Sequence, residues 1–228
     1  MSMINVFLSP SKALIGVDTE GINGLTGDFI RVGKMIYLPQ VNIVLAGRGT
    51  AAFLLVLHTM LTDALMRMHG GGDFDSAAAA MPELVGAAYK AINAAMPDVG
   101  LYGIPEGQQA VLIGWSAIQS RMQACAYLQS PSAEVEVVNI EDPGYMMPWN
   151  AAWGEPPEGC SPADMVELAL CQVRNVKCES PGTPMGGNLI IAELSRSAMS
   201  VRDMGKLVPR AADSRRVFGM GVAVRVRA

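Results

Sequence analysis

Ser2, Asp18 and Lys34 follow one another at intervals of sixteen residues, and together they carry the parts of a nucleophilic site. A serine hydroxyl attacks a carbonyl poorly unless a base removes its proton. A free α-amino group titrates near pH 8, so it can be that base when the nucleophile is the first residue of the chain. Met1 precedes a small residue, and its removal would expose the Ser2 amine. A lysine ammonium beside the amine and hydroxyl lowers their pKa values, and a buried aspartate fixes the lysine and balances its charge.

These residues need strands to hold them, and the pattern supplies strands. Ile4 to Leu8 and Ala13 to Asp18 are apolar runs joined by Ser9-Pro10-Ser11-Lys12, which predicts a hairpin with Asp18 at its end. Thr19 to Gly33 is rich in glycine and polar residues and reads as a wandering connection. Lys34 opens a second strand pair, Lys34 to Leu38 and Val41 to Ala46, and Gly47-Arg48-Gly49-Thr50 then breaks into a helix reaching about Met68. Phe53, Leu54, Leu57, Leu61 and Leu65 share one face of that helix.

A second helix is expected from Met81 to Met96, with Pro82 in its first turn. Strands are expected over Ala110 to Trp115, Met122 to Leu128 and Val135 to Ile140. A rigid loop follows from Glu141 to Ser161, holding Tyr145, Trp149 and Trp153, and reads as a lid, a pocket wall or a subunit contact. Ser161 caps a third helix from Asp164 to Val176, with Pro162 at its start. Gly186-Gly187 leads into a hairpin of Asn188 to Leu194 and Met199 to Asp203, and Val217 to Arg227 alternates as a half-exposed strand. Blocks of hairpins separated by helices predict an α+β fold of antiparallel sheets covered by helices. With no repeat and no linker, residues 1–228 read as one domain.

The opening residues resemble a proteasome β-subunit, a member of the N-terminal-nucleophile (Ntn) hydrolases. The resemblance rests on Ser2, on Asp18 closing Ala-Leu-Ile-Gly-Val-Asp, and on Lys34 opening Gly-Lys-Met-Ile-Tyr. Leu45-Ala46-Gly47 resembles the segment whose glycine amide forms that family's oxyanion hole. The resemblance implies a four-layer αββα sandwich and a catalytic set of Ser2, Asp18, Lys34 and Gly47. It implies a self-assembling peptidase or amidohydrolase that acts on peptides and forms ring-like homo-oligomers. The family has threonine where this chain has Ser2, Gly47 sits one residue early, and the family's later helper residues have no clear match. The alternative implied is an inactive ring or tube component of a larger assembly, including a phage or virus-like particle.

Composition narrows the remaining classes. Half of the 228 residues are hydrophobic and 17% are charged, enough for a sizeable core. A net charge of −4 and a pI near 5.2 argue against a nucleic-acid groove or a basic membrane patch. No run of eighteen apolar residues suggests a membrane span, and the N-terminus lacks a signal-peptide layout. Four scattered cysteines read as free thiols in a reducing compartment, hence a cytoplasmic expectation. His58 and His69 lack partners at ligand spacing, so neither metal nor cofactor is expected. Gly47-x-Gly49 lacks the rest of a dinucleotide loop, and Gly114-Trp-Ser116 lacks the glycine of a nucleophile elbow.

Overall fold

The computed structural model describes residues 2–24, 26–95, 107–130, 134–141, 144–156 and 159–207. The expected strand at Val217 to Arg227, and Met1, lie outside the described residues. The opening hairpin forms from β1 (Ile4–Leu8) and β2 (Lys12–Asp18), paired antiparallel from Ile4 opposite Val17 to Leu8 opposite Ala13. Ser9 closes its turn, with the backbone N–H donating to the Lys12 carbonyl and the hydroxyl accepting from the Lys12 N–H.

The segment read as wandering carries a small ribbon, β3 (Glu20–Ile22) against β4 (Phe29–Arg31). Next come β5 (Met35–Leu38), β6 (Ile43–Arg48) and α1 (Ala51–Arg67), where the Thr50 hydroxyl caps the helix by accepting from the Phe53 N–H. The second helix, α2 (Phe74–Ala95), begins a full two turns earlier than expected. Asp73 and Ser76 exchange side-chain to backbone bonds at its start and so cap it there. Pro82 therefore lies inside the helix, where it has no N–H for the Ala78 carbonyl. Tyr127 supplies the missing donor, its hydroxyl reaching the Ala78 oxygen at 3.1 Å. Burial of that ring pushes the Tyr127 pKa up.

The chain continues through β7 (Gln108–Ser116), β8 (Arg121–Gln129), β9 (Glu136–Ile140), β10 (Gly144–Met147), α3 (Pro162–Glu179), β11 (Asn188–Ser195) and β12 (Met199–Lys206). The expected aromatic loop thus contains a strand, β10, which pairs with β1. Trp149 and Trp153 meet edge to face at 5.8 Å and pack against the α3 cluster, so they wall the outer helix rather than cover the Lys34 region.

The fold is α+β. The described residues form three antiparallel sheets, ordered β10-β1-β2-β11-β12, β5-β6-β7-β8-β9 and β3-β4, with three α-helices. Three apolar clusters show which faces are covered. Phe53, Leu57, Leu61, Met81 and Val85 of α1 and α2 pack on Ile43, Leu45 and Leu112 of the second sheet. Val44, Ala46, Val111 and Ile113, on the opposite face of those strands, pack against Ile4, Val6, Ile15 and Val17 of the first sheet. Met165, Leu168 and Val173 of α3 cover Phe7, Leu14, Leu189 and Ile191 on the first sheet's other side. Side chains alternate across a strand, so strands buried on both faces must be apolar at nearly every position. Both β1 and β6 have that composition, and they are buried throughout.

One polar pair interrupts the α3 side. Asn5 and Gln172, both fully buried, exchange carboxamide bonds of 2.6 and 2.9 Å, and Gln172 also donates to the Pro148 carbonyl at 2.8 Å. Gln172→Ala leaves Asn5 with a buried, unsatisfied amide and is expected to cost about 1–3 kcal/mol. Urea denaturation of the variant beside the parent chain measures it, and an unchanged midpoint would show that water replaces the lost partner.

Candidate functional site

Asp18 ends β2 with no exposed surface, so its carboxylate must find donors inside the protein. It finds three. Oδ1 accepts from Lys34 Nζ at 2.7 Å and from the Met3 N–H at 2.8 Å, and Oδ2 accepts from the Gly186 N–H at 3.0 Å. The residue after Ser2 is thereby held to the same oxygen as the lysine. Ser2 itself is nearly buried, at 8% exposure.

Lys34 is 6% exposed and makes a second bond, to the Glu20 carbonyl at 2.5 Å. Burial holds its pKa below the usual lysine range, and the opposing charge of Asp18 restores part of the shift. Arg48, also buried, adds to the lowering, whereas Glu20 opposes it. An amine poised below its ordinary value is a better proton acceptor near neutrality than a surface lysine is.

The backbone of Lys34 is fixed by Gly47, whose N–H donates to the Lys34 carbonyl at 2.9 Å. The amide expected to serve an oxyanion is therefore taken up in pinning the lysine. Gly47 also packs closely on α1, where a Cβ would meet Leu54 Cδ1 at 2.9 Å.

The loop after α3 closes the other side. The Gly186 carbonyl accepts from both Thr19 and Glu20 N–H groups, at 3.2 and 3.1 Å, while the Asn188 N–H donates to the Thr19 hydroxyl at 2.8 Å. Gly187 has φ +73° and lies against Thr19, so a side chain there meets both a strained backbone and a hydroxyl at 2.6 Å. Lys177 of α3 clamps the same corner, donating to Glu20 Oε2 at 3.0 Å and to the Thr183 carbonyl at 2.8 Å.

Asp18 and Lys34 are thus brought together, Ser2 is tethered one residue away, and Gly47 is adjacent through the Lys34 backbone. Sequence reasoning missed Gly186, the Glu20 carbonyl and Arg48. The only signal for the first was the glycine doublet before β11. Beyond Arg48, between the sheets, the Gln109 carboxamide donates to the Tyr145 hydroxyl. Burial pushes Tyr145 up to about 12, although that bond and the Arg48 charge act the other way. Among the described residues no cluster of His, Cys, Asp and Glu could hold a metal, and no helix is long and apolar enough to cross a membrane.

This architecture, two antiparallel five-stranded sheets with helices packed on each, is similar to that of solved Anbu structures. Anbu from Yersinia bercovieri, described as an ancestral beta-subunit, aligns with a TM-score of 0.59 and 12% identity, over 90% of this chain and 87% of that one. Anbu from Hyphomicrobium sp. strain MC1 aligns with a TM-score of 0.57 and 11% identity, over 89% and 87% of the two chains. A mutant of the same Hyphomicrobium protein gives 0.57 and 10% identity, over 90% and 88%. The sequence matches no protein-family model and no curated protein. The expected resemblance to a proteasome β-subunit is corrected by these neighbours, which are Anbu chains; at such identity the likeness is one of fold.

Removing one member of a buried ion pair strands the other. Lys34→Met is expected to destabilise the chain by about 3–5 kcal/mol, and adding Asp18→Asn to recover part of that loss. Because the folded chain releases the Lys34 proton below 10.5, the unfolded chain binds more protons between the lowered value and 10.5. The contribution of Lys34 to stability accordingly rises with pH across that window, and Lys34→Met lacks the rise. Urea midpoints of the single and double variants, measured as a function of pH, check both statements.

Proposed function

We propose that the chain is an N-terminal-nucleophile amide hydrolase on an Anbu-like fold, with the helices and sheets stacked as a four-layer αββα sandwich. Ser2 is the nucleophile, and its amine, freed by loss of Met1, is the base. The observation that carries the reading is the single Asp18 oxygen shared by the Met3 N–H and the Lys34 ammonium. It fixes the chain start and the lysine with respect to one another.

In this reading Lys34 spends two of its three N–H groups on Asp18 and the Glu20 carbonyl. The mechanism requires the third to reach the Ser2 hydroxyl. As the amine takes the hydroxyl proton, Ser2 Oγ attacks the amide carbon and a tetrahedral oxyanion forms. The amine then returns the proton to the departing nitrogen, leaving an ester on Ser2 that water hydrolyses. The Asp18 carboxylate opposes the loss of the Lys34 proton that burial favours. Gly47 acts by positioning the Lys34 backbone, so the oxyanion takes its hydrogen bond from another donor.

A second reading is favoured by that same Gly47 bond. A chain with its expected oxyanion donor occupied suits an inactive subunit of a homo-oligomeric ring or a larger assembly. Leu55 and Met66, exposed on α1 at 59% and 77%, are apolar surface available for such contacts.

Intact mass of the purified chain and labelling by a covalent N-terminal-nucleophile inhibitor separate the two. The hydrolase reading expects loss of Met1, one equivalent of label, no label on Ser2→Ala, and a fall of about 10²–10³-fold in rate for folded Lys34→Met, which loses the charge beside the nucleophile. Retained Met1 with no labelling leaves the assembly reading.

A further inference from the structure

A cavity of about 260 Å³ opens beside Lys34, between the edges of the two large sheets. Its walls come from Val17 of β2, Met35 and Val44 of β5 and β6, and Ile190, Met199 and Val201 of β11 and β12. All six are apolar. The polar groups at its rim already have partners within the protein. The Tyr37 hydroxyl donates to Asn42 Oδ1 at 3.1 Å, and the Thr19 hydroxyl accepts from the Asn188 N–H. Lys34 is bonded to Asp18 and to the Glu20 carbonyl.

A lining of this kind offers water few hydrogen bonds and leaves the apolar side chains short of contacts on one side. An aliphatic group repairs both deficits. The volume is below the roughly 300–1,000 Å³ typical of drug-sized sites, so it suits a single small apolar group. Charge narrows the ligand further. A cation entering here would approach the ammonium of Lys34, with the buried Arg48 close enough to act on the same lysine.

We propose that this cavity binds an uncharged aliphatic chain, the acyl or side-chain portion of an amide, seated between the sheets against Lys34. Resting on the hydrolase reading, it names the substrate class of that site: amides carrying an uncharged aliphatic group. Seating such a group excludes water from one side of Lys34, so occupancy and the readiness of the lysine to give up a proton are coupled.

The test reads occupancy of the cavity through the methyl signals, whether or not the amide is then cleaved. Two of the lining residues are methionines, so the full chain labelled with ¹³C-methyl methionine is titrated with octanamide. Met35→Leu and Met199→Leu assign the two signals. Saturable shifts are expected at Met35 and Met199 with none at the exposed Met66. Octylammonium is expected to bind at least about tenfold more weakly, because its charge must be stripped of water beside another cation. Val201→Trp, at a half-exposed position on the rim, is expected to abolish the response. Shifts that spread equally to Met66, equal binding of octylammonium, or an undiminished response in Val201→Trp would overturn the proposal. The ammonium comparison is made on the unmutated chain and stands if the variant does not fold. A chain that binds octanamide but takes no label at Ser2 loses the hydrolase reading and keeps the cavity. A chain labelled at Ser2 with no methionine response loses the cavity alone.

Discussion

A carboxylate with no contact to water sets the terms for this end of the molecule. Ionised Asp18 would cost several kcal/mol in an apolar interior, and only close, well-aligned donors offset that. The three donors it has come from three distant places: the chain start at Met3, the head of β5 at Lys34, and the loop after α3 at Gly186. Each of these segments is irregular, and each acquires a fixed position by serving the same group. The ribbon β3–β4 and the turn at Gly186 belong to the same economy, since Glu20 and Thr19 bond back to Lys34 and Gly186.

Lysine is the partner whose protonation can change without dismantling that shell. Asp18 has two backbone N–H bonds besides the one from Lys34. Burial and Arg48 push the lysine toward neutrality, and Asp18 holds it charged. The site is thus biased, and the strand Ile43–Arg48 delivers both the bond that steadies the lysine backbone and the charge that opposes its own.

Much of this was legible in the sequence where short-range pattern carried it. The hairpin ending at Asp18, the strand beginning beside Lys34 and the capped start of α3 all follow from apolar runs and turn residues. The start of α2 did not, because Pro82 looks like a first-turn proline until Tyr127, 49 residues from Ala78, is known to satisfy the orphaned carbonyl. Strand β10 was hidden in a proline-rich segment, since its pairing with β1 is a matter of tertiary register. Gly47 was readable as a residue of the site, but the direction of its N–H was not: that depends on which neighbouring strand β6 borders. Gly186 was out of reach, as no local spacing links it to Asp18.

That last separation has a bearing on how the protein comes into being. The Gly186 bond to Asp18 spans 168 residues, so its loop can close only when most of the chain has been synthesised and α3 has docked on the first sheet. Contacts of such range form late, after their entropy of closure has been met by others. Until then Asp18 lacks one donor and the corner at Thr19 and Glu20 is open. A nascent or truncated chain that stops before Gly186 therefore leaves the second oxygen of Asp18 without its backbone donor. Synthesis through Gly186 is thus itself a step in assembling the site.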